Sequence, residues 1–344
     1  MNKPPFGDQQ PCFIIAEAGV NHNGDLQMAK QLVDVAAVAG ADAVKFQTFK
    51  AEALATNDAP LADYMTAAGE EASGQTELLK RLELPDEAFA ELKEYCDLRG
   101  IRFMSTAFDE ASADLLVNLG MDVIKAPSGE LTNIPFLRHL ARFGLPTILS
   151  TGMGTLEEVD VALKALVNGG AGPVAILHCV SAYPAPPMAM NLRAMDTMRA
   201  AFGRPVGLSD HTEGISIALA AVARGACVLE KHFTLDRTLP GPDHAASLEP
   251  PELRELVAQV RAVESALGDG VKQPTEAEMN TRDVARRSVA LARDLPAGHV
   301  LALSDLVLRR PGTGIPPGDL DRLVGKRLAS DRPAGFHLSW SDCE

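Results

Sequence analysis

The fold class this 344-residue chain predicts is an α/β barrel, a (β/α)8 TIM barrel, followed by a small β-rich domain. Three observations predict it. Eight short runs rich in β-branched residues alternate with amphipathic segments. Polar residues gather where those runs end. From about Gly268 the texture changes, and part of the remaining sequence repeats itself.

The runs follow one another in order. FIIAE starts at Phe13, DAVKFQ at Asp42, RFMST at Arg102 and VIKAP at Val123. PTILS starts at Pro146, VAILHC at Val174, PVGLSD at Pro205 and CVLEKHF at Cys227. Helical spacing marks DLQMAKQLVDVAAVAG, PDEAFAELKEYCDLRG, TLEEVDVALKALVNGG and EPPELRELVAQVRAVESALG, each ending in Gly. After Pro184 the helix is expected within MNLRAMDTMRAAF, and residues 49–84 read as an extended loop over one end. A doubly wound sheet competes with the barrel, but no G-x-G-x-x-G follows the first run. Eight strand–helix units in about 255 residues match a barrel. Residues 1–267 are therefore assigned to it, 268–283 to a polar linker and 284–344 to the second domain. In that domain ARDLPAGHVLALSD, from Ala292, and ASDRPAGFHLSWSD, from Ala329, agree at eight of fourteen positions with a period of 37. Each copy reads as a Pro-Ala-Gly turn followed by a short strand.

Composition excludes several classes. With 46% apolar and 23% charged residues, the chain can bury a large core and is not disordered. A net charge of −14 makes it a poor general binder of nucleic acid or anionic membrane. Five cysteines without a C-x-x-C pair fit a reducing cytoplasm. The start MNKPPFGDQQPC has no apolar signal segment, and the most apolar internal stretch stops at Arg224, too short to span a bilayer.

In a barrel the ends of the strands form one rim, where active sites sit. That rim would carry Glu17, Lys45, Gln47, Ser105, Thr106, Lys125, Ser128, Glu130, Ser150, Thr151, His178 and Ser181. It would close with Ser209, Asp210, His211, Glu230, Lys231 and His232. A lone Ser or Thr there is usually a helix cap; eight ends together are harder to explain so. His211 and His232 end neighbouring strands, ~4.8 Å apart, so both imidazoles could reach one ion. The alternative is a pair of hydrogen-bonding core histidines. Lys45 and Lys125 lie within apolar runs and need anionic partners, because burying an unpaired charge is costly. A bound phosphate or carboxylate would serve; a Schiff-base lysine and an internal ion pair are the rivals.

IIAEAGVNHNGD, VKFQTF, KAPSGE, LSTGM, HCVSAYP, GLSDHT, EKHFTLDRTLPGPDHAAS and RRPGTGI, in this order from about Phe13 to about Leu338, closely resemble the sialic acid synthase family. This is the group of bacterial nonulosonate synthases. The C-terminal segment resembles the family's antifreeze-like (SAF) domain. The resemblance implies condensation of phosphoenolpyruvate with the open-chain aldehyde of an N-acylated mannosamine-type sugar, releasing phosphate. It implies that Lys45, Lys125, Ser128, Ser150, Ser181 and Ser209 bind phosphoenolpyruvate. Glu17, Gln47, Tyr183 and Asp243 would bind the sugar, and Glu17 and Glu130 are the acid/base carboxylates. Ser181 departs from the Asn of some members. His211 and His232 would hold a divalent metal, Mn²⁺ first, with Mg²⁺ or Co²⁺ as alternatives. A domain-swapped homodimer would bring Arg310 of one copy to the sugar of the other. The expected product is N-acetylneuraminate, made from N-acetylmannosamine. The alternative is N,N'-diacetyllegionaminate, made from a 2,4-diacetamido-2,4,6-trideoxymannose. A Schiff-base aldolase and a catalytically dead carbohydrate-binding barrel are the readings from other classes.

Overall fold

The computed structural model describes residues 4–7, 10–56, 58–61, 72 and 74–344, which divide into two units, Met1–Gly268 and Asp269–Glu344. In the first unit, eight parallel strands form one sheet. They are β1 (Phe13–Gly19), β2 (Ala43–Thr48), β3 (Arg102–Ala107), β4 (Ile124–Ala126), β5 (Thr147–Ser150), β6 (Val174–Cys179), β7 (Val206–Asp210) and β8 (Val228–His232). Their order is β3-β2-β1-β8-β7-β6-β5-β4, and β3 also touches β4, so the sheet curls round into a barrel. All eight predicted runs are strands. The amphipathic segments form helices Leu26–Ala39, Asp86–Arg99, Leu156–Gly169, Ala194–Phe202 and Pro250–Leu267. The expected loop over residues 49–84 instead carries helices Ala51–Leu54 and Gln75–Leu82; residues 57, 62–71 and 73 of it lie outside the described residues.

Strand alternation sorts each side chain. Ile14, Ala16, Val44, Phe46 and Phe103 pack outward, against the helices. Ile15, Ala43, Met104, Val123, Ile148, Ala175 and Val228 pack together in a separate interior cluster with Phe6. The interior positions two residues further along these strands are Glu17, Lys45, Thr106, Lys125, Ser150, Leu177 and Glu230. The inward column is thus apolar at the N-terminal end and almost wholly polar toward the C-terminal end. That switch converts a barrel core into a site.

The second unit has its own core around Val289, Leu291, Leu301, Leu323, Leu328 and Leu338. Its two strands, Ser288–Leu291 and Leu306–Arg309, pair antiparallel. The segment expected as a linker contains a helix, Met279–Ala285. The repeat is visible as a two-fold exchange. Ala297 N–H donates to Asp331 at 2.7 Å, and Ala334 N–H, 37 residues on, donates to Asp294 at 2.7 Å. Leu295 and Arg332 exchange backbone bonds at 3.0 Å. The copies are joined by such single bridges and end in matched 3-10 turns, Leu303–Asp305 and Trp340–Asp342, in place of the expected strands. Asp305 is buried between Arg293 at 2.7 Å and His299 at 2.8 Å, and accepts from Ala302 N–H at 3.0 Å. No helix among the described residues is long and apolar enough to cross a membrane, and all five cysteines are free thiols.

Candidate active site

Lys45 stands at the centre of the polar floor. Its ammonium lies 2.7 Å from Glu17, 3.7 Å from Glu230, and donates to Thr106 Oγ1 at 2.8 Å. Lys125 lies 3.5 Å from the other oxygen of Glu230, which also accepts from Ser209 Oγ at 3.1 Å. All four charged groups are buried, so two cations face two carboxylates inside the barrel. Burial alone would lower the Lys45 pKa, but the two carboxylates hold it above the usual lysine range. Lys125 has less compensation, and burial leaves it below that range. Burial pushes Glu17 up to about 7, because Lys45 only partly offsets it and Glu230 repels. Lys125 and Lys45 overcome the burial of Glu230 and hold it well below the carboxylate range.

Above this floor the serines converge. Ser150 Oγ is buried and has no hydrogen-bond partner. Ser128 Oγ accepts from Gly152 N–H at 2.9 Å. A Cβ at Gly152 would lie 2.2 Å from Ser181 Oγ and 2.8 Å from Ser128 Oγ, so only glycine leaves room for both hydroxyls here. An anion placed here would find two ammonium groups and several hydroxyl donors.

Beside the serines, with Ser209 Oγ 3.5 Å from His211 Nε2, the rings of His211 and His232 stand 5.4 Å apart by centroid, with Tyr183 at 4.1 Å from the first and 5.7 Å from the second. His211 Nδ1 donates to Val180 O at 2.8 Å, which leaves its Nε2 a lone pair. His232 Nδ1 is buried without a hydrogen-bond partner, and Asp243 Oδ2 lies 3.7 Å away. Burial and His211 keep the His232 pKa well below the usual value, so the ring stays neutral. Burial alone would lower the His211 pKa, but Cys179, Val180 O and Glu230 outweigh it and hold that pKa above the usual value. A divalent cation would take the Nε2 lone pair of His211 beside the neutral His232 ring. Among the described residues no group of three or more His, Cys, Asp or Glu is arranged to hold one alone. The remaining positions would fall to substrate or water.

Thirteen of the fourteen predicted site residues line one cavity of about 820 Å³. Arg310 is the exception: it belongs to the second unit, where it is exposed and precedes a cis proline. Glu130 and Glu17 separate clearly. Glu17 sits in the buried charge cluster; Glu130 is half-buried at the rim and accepts from Asn133 Nδ2 at 2.6 Å. Two rim residues expected among the buried lysines and histidines turn away. Lys231 points out of the barrel to Asp210 at 2.8 Å, and His178 meets Met190 O at 2.6 Å. The prediction gave no role to Glu230, Thr106 or Cys179, although all three line the cavity. Period-two reading would have found them, since Glu230 is two residues before His232 and Cys179 two before Ser181. The cavity also has an apolar wall of Leu54, Leu78, Leu79, Leu82 and Phe108, carried largely by the two short helices of residues 49–84.

Comparison with known proteins places this geometry. The chain is 49% identical to the N,N'-diacetyllegionaminic acid synthase of Legionella pneumophila, over 99% of this chain and 97% of the relative. It is 45% identical to the synthase of the same name from Campylobacter jejuni, over 91% and 95%. The structure resembles that of an N-acetylneuraminic acid synthetase from Leptospira borgpetersenii, with a TM-score of 0.72 and 36% identity over 80% of this chain and 92% of that one. Residues 32–272 match the NeuB family and residues 286–344 the SAF domain. A barrel whose polar floor and paired histidines come from the motifs of that family, followed by a SAF domain, belongs to the NeuB family.

Proposed function

We propose that the protein is a phosphoenolpyruvate-dependent nonulosonate synthase that makes N,N'-diacetyllegionaminate from 2,4-diacetamido-2,4,6-trideoxymannose. The observation that carries the reading is the division of one cavity into a charged polar floor and an apolar wall. Lys45, Lys125, Ser128, Ser150, Ser181 and Ser209 take the phosphate and carboxylate of phosphoenolpyruvate. Glu17, Gln47, Tyr183 and Asp243 meet the sugar. The leucine wall suits a sugar end that carries a methyl group and an acetamido methyl instead of hydroxyls. Gln75, a polar residue on that side, already donates to Pro60 O at 2.7 Å. The relatives at 49% and 45% identity support the same choice. N-acetylmannosamine, the sugar first expected, therefore gives way to its alternative.

In the reaction, C3 of the enol attacks the aldehyde carbon, water adds to C2, and phosphate leaves with its bridging oxygen. Glu17, with a pKa near neutrality, is the better placed of the two carboxylates to give or take the proton. A divalent cation on His211 and His232, most simply Mn²⁺, would polarise the aldehyde oxygen. Tyr183 packs on both imidazoles and limits their rotation. Arg310 serves the sugar of a second copy in a swapped dimer.

The test compares kcat/KM for the two sugars with phosphoenolpyruvate. Facing a hydroxyl to the leucines of this wall costs about 1–3 kcal/mol, so a preference of about tenfold or more for the trideoxy sugar is expected. Equal or better turnover of N-acetylmannosamine would refute the assignment. Bound metal, measured by elemental analysis, should fall in His211→Ala.

A further inference from the structure

The motif GVNHNG after β1 supplies no residue to the reaction, yet it is tied at several points to the segment after β8. Asn21 is buried, and its Nδ2 donates to Phe233 O at 2.8 Å and to Ser247 Oγ at 3.0 Å. Ser247 Oγ in turn donates to the carbonyl of Asp243 at 2.6 Å. Asn23 Nδ2 donates to Pro240 O at 2.9 Å. His244 lies between the two segments, 2.6 Å from Thr234 Oγ1 through Nδ1 and 3.2 Å from Asn23 Oδ1 through Nε2.

One proton arrangement joins the two segments through a neutral His244. Asp236 N–H donates to Thr234 Oγ1 at 3.3 Å, the Thr234 hydroxyl gives its one proton to His244 Nδ1 at 2.6 Å in preference to Asp236 O at 3.2 Å, and His244 Nε2–H donates to Asn23 Oδ1. This needs a neutral imidazole, and burial holds His244 down at about 4. The backbone is shaped for the same contacts. Asn23 adopts φ 50°, which asparagine tolerates well. At Gly241, φ 144°, a Cβ would lie 2.7 Å from His244 Cδ2 and 2.9 Å from Asn23 Oδ1. Between Gly241 and His244 sits Asp243, buried, with its carboxylate in the cavity beside His232.

We propose that Asn23, Thr234 and His244 are positioning residues that lock the segment after β8 to the segment after β1 and thereby fix the Asp243 carboxylate in the cavity. The inference rests on the reading that Asp243 meets the sugar. The informative variants are Asn23→Gly, which removes the side chain and relaxes the left-handed backbone, and Thr234→Val, which removes only the hydroxyl. Thr234→Ser restores that hydroxyl. The first two should raise the KM for the sugar on the order of tenfold, the usual weight of one buried hydrogen bond. The KM for phosphoenolpyruvate should stay within about twofold, as the cradle is built from other strands. Thr234→Ser should behave as the parent, and Asp243→Asn should reproduce the sugar defect. Hydrogen exchange of amides 236–247, which needs no turnover, should quicken in Asn23→Gly and Thr234→Val but not in Thr234→Ser. Asn23 is half-exposed, so Asn23→Gly remains readable even if Thr234→Val unfolds. Unchanged exchange in Asn23→Gly overturns the proposal. So does an equal rise in both KM values, or a Thr234→Ser defect as large as that of Thr234→Val. A parent inactive on either sugar, with the exchange result intact, would overturn the functional reading and leave the lock standing.

Discussion

Replacing Lys45 by Met removes one of the two cations that face Glu17 and Glu230. Glu230 keeps Lys125 at 3.5 Å, whereas Glu17 loses its ion-pair partner at 2.7 Å. Burial has already pushed Glu17 up to about 7 in the presence of that partner. Without it the carboxyl rises further and carries a proton at neutral pH, so the fold survives. In the unfolded chain the same carboxyl ionises near 4.3. A group with a raised native pKa binds more protons folded than unfolded, so stability falls as pH rises between the two values. In the parent this window closes at about 7. In Lys45→Met it stays open to higher pH, at ~1.4 kcal/mol per unit. For each pH unit above 7, until its own Glu17 ionises, the variant should therefore lose up to ~1.4 kcal/mol more than the parent. For a barrel of this size that is ~3–6 °C in Tm per unit. Thermal melts at pH 7, 8 and 9 would show it, and Glu17→Gln added to Lys45→Met should abolish the extra slope. Parallel pH dependences for Lys45→Met and the parent would refute the account of Glu17.

Lys125→Met should raise the KM for phosphoenolpyruvate by about ten- to a hundredfold, the worth of a charge-assisted hydrogen bond, and an unchanged KM would remove Lys125 from the cradle. Inactive His211→Ala mixed with inactive Arg310→Ala should regain activity if the sites are completed between copies; proven subunit exchange without rescue would place Arg310 in its own subunit's site or outside any. Asp305 is held below the ordinary carboxylate range by Ala302 N–H first, then His299 and Arg293. Its contribution is therefore present above about pH 4 and fades below it. Asp305→Asn should lower the unfolding midpoint at pH 7, and by progressively less at pH 4, 3 and 2, read through Trp340, the only tryptophan, which lies in the same unit.

The barrel was readable because each strand is a short apolar run with a polar end, and the helices between carry their own stop signals. Lys45 was readable for the same reason: a lysine inside VKFQ has to find an anion. The internal pair with Glu17 and Glu230 was not readable, because it joins three strands that are distant in sequence. Glu230 was hidden in EKH, where three polar residues in a row look alike until alternation turns the first and third inward and Lys231 outward. The wall of leucines was missed because residues 49–84 have too little periodicity to read as helix. The repeat announced two similar halves, but not that they would exchange backbone bonds across an axis.

The balanced charges at the barrel floor have a consequence for ligand capture. Two ammonium groups are already neutralised by two carboxylates, so a multiply charged anion entering this site brings a surplus of negative charge. Desolvated surplus charge is expensive, and the group best able to cancel it is Glu17, which needs only a small push to accept a proton. Phosphoenolpyruvate would thus arrive together with a proton drawn from solvent. Its affinity should weaken as the solution becomes more alkaline, and calorimetry in buffers of different ionisation enthalpy would count the protons taken up.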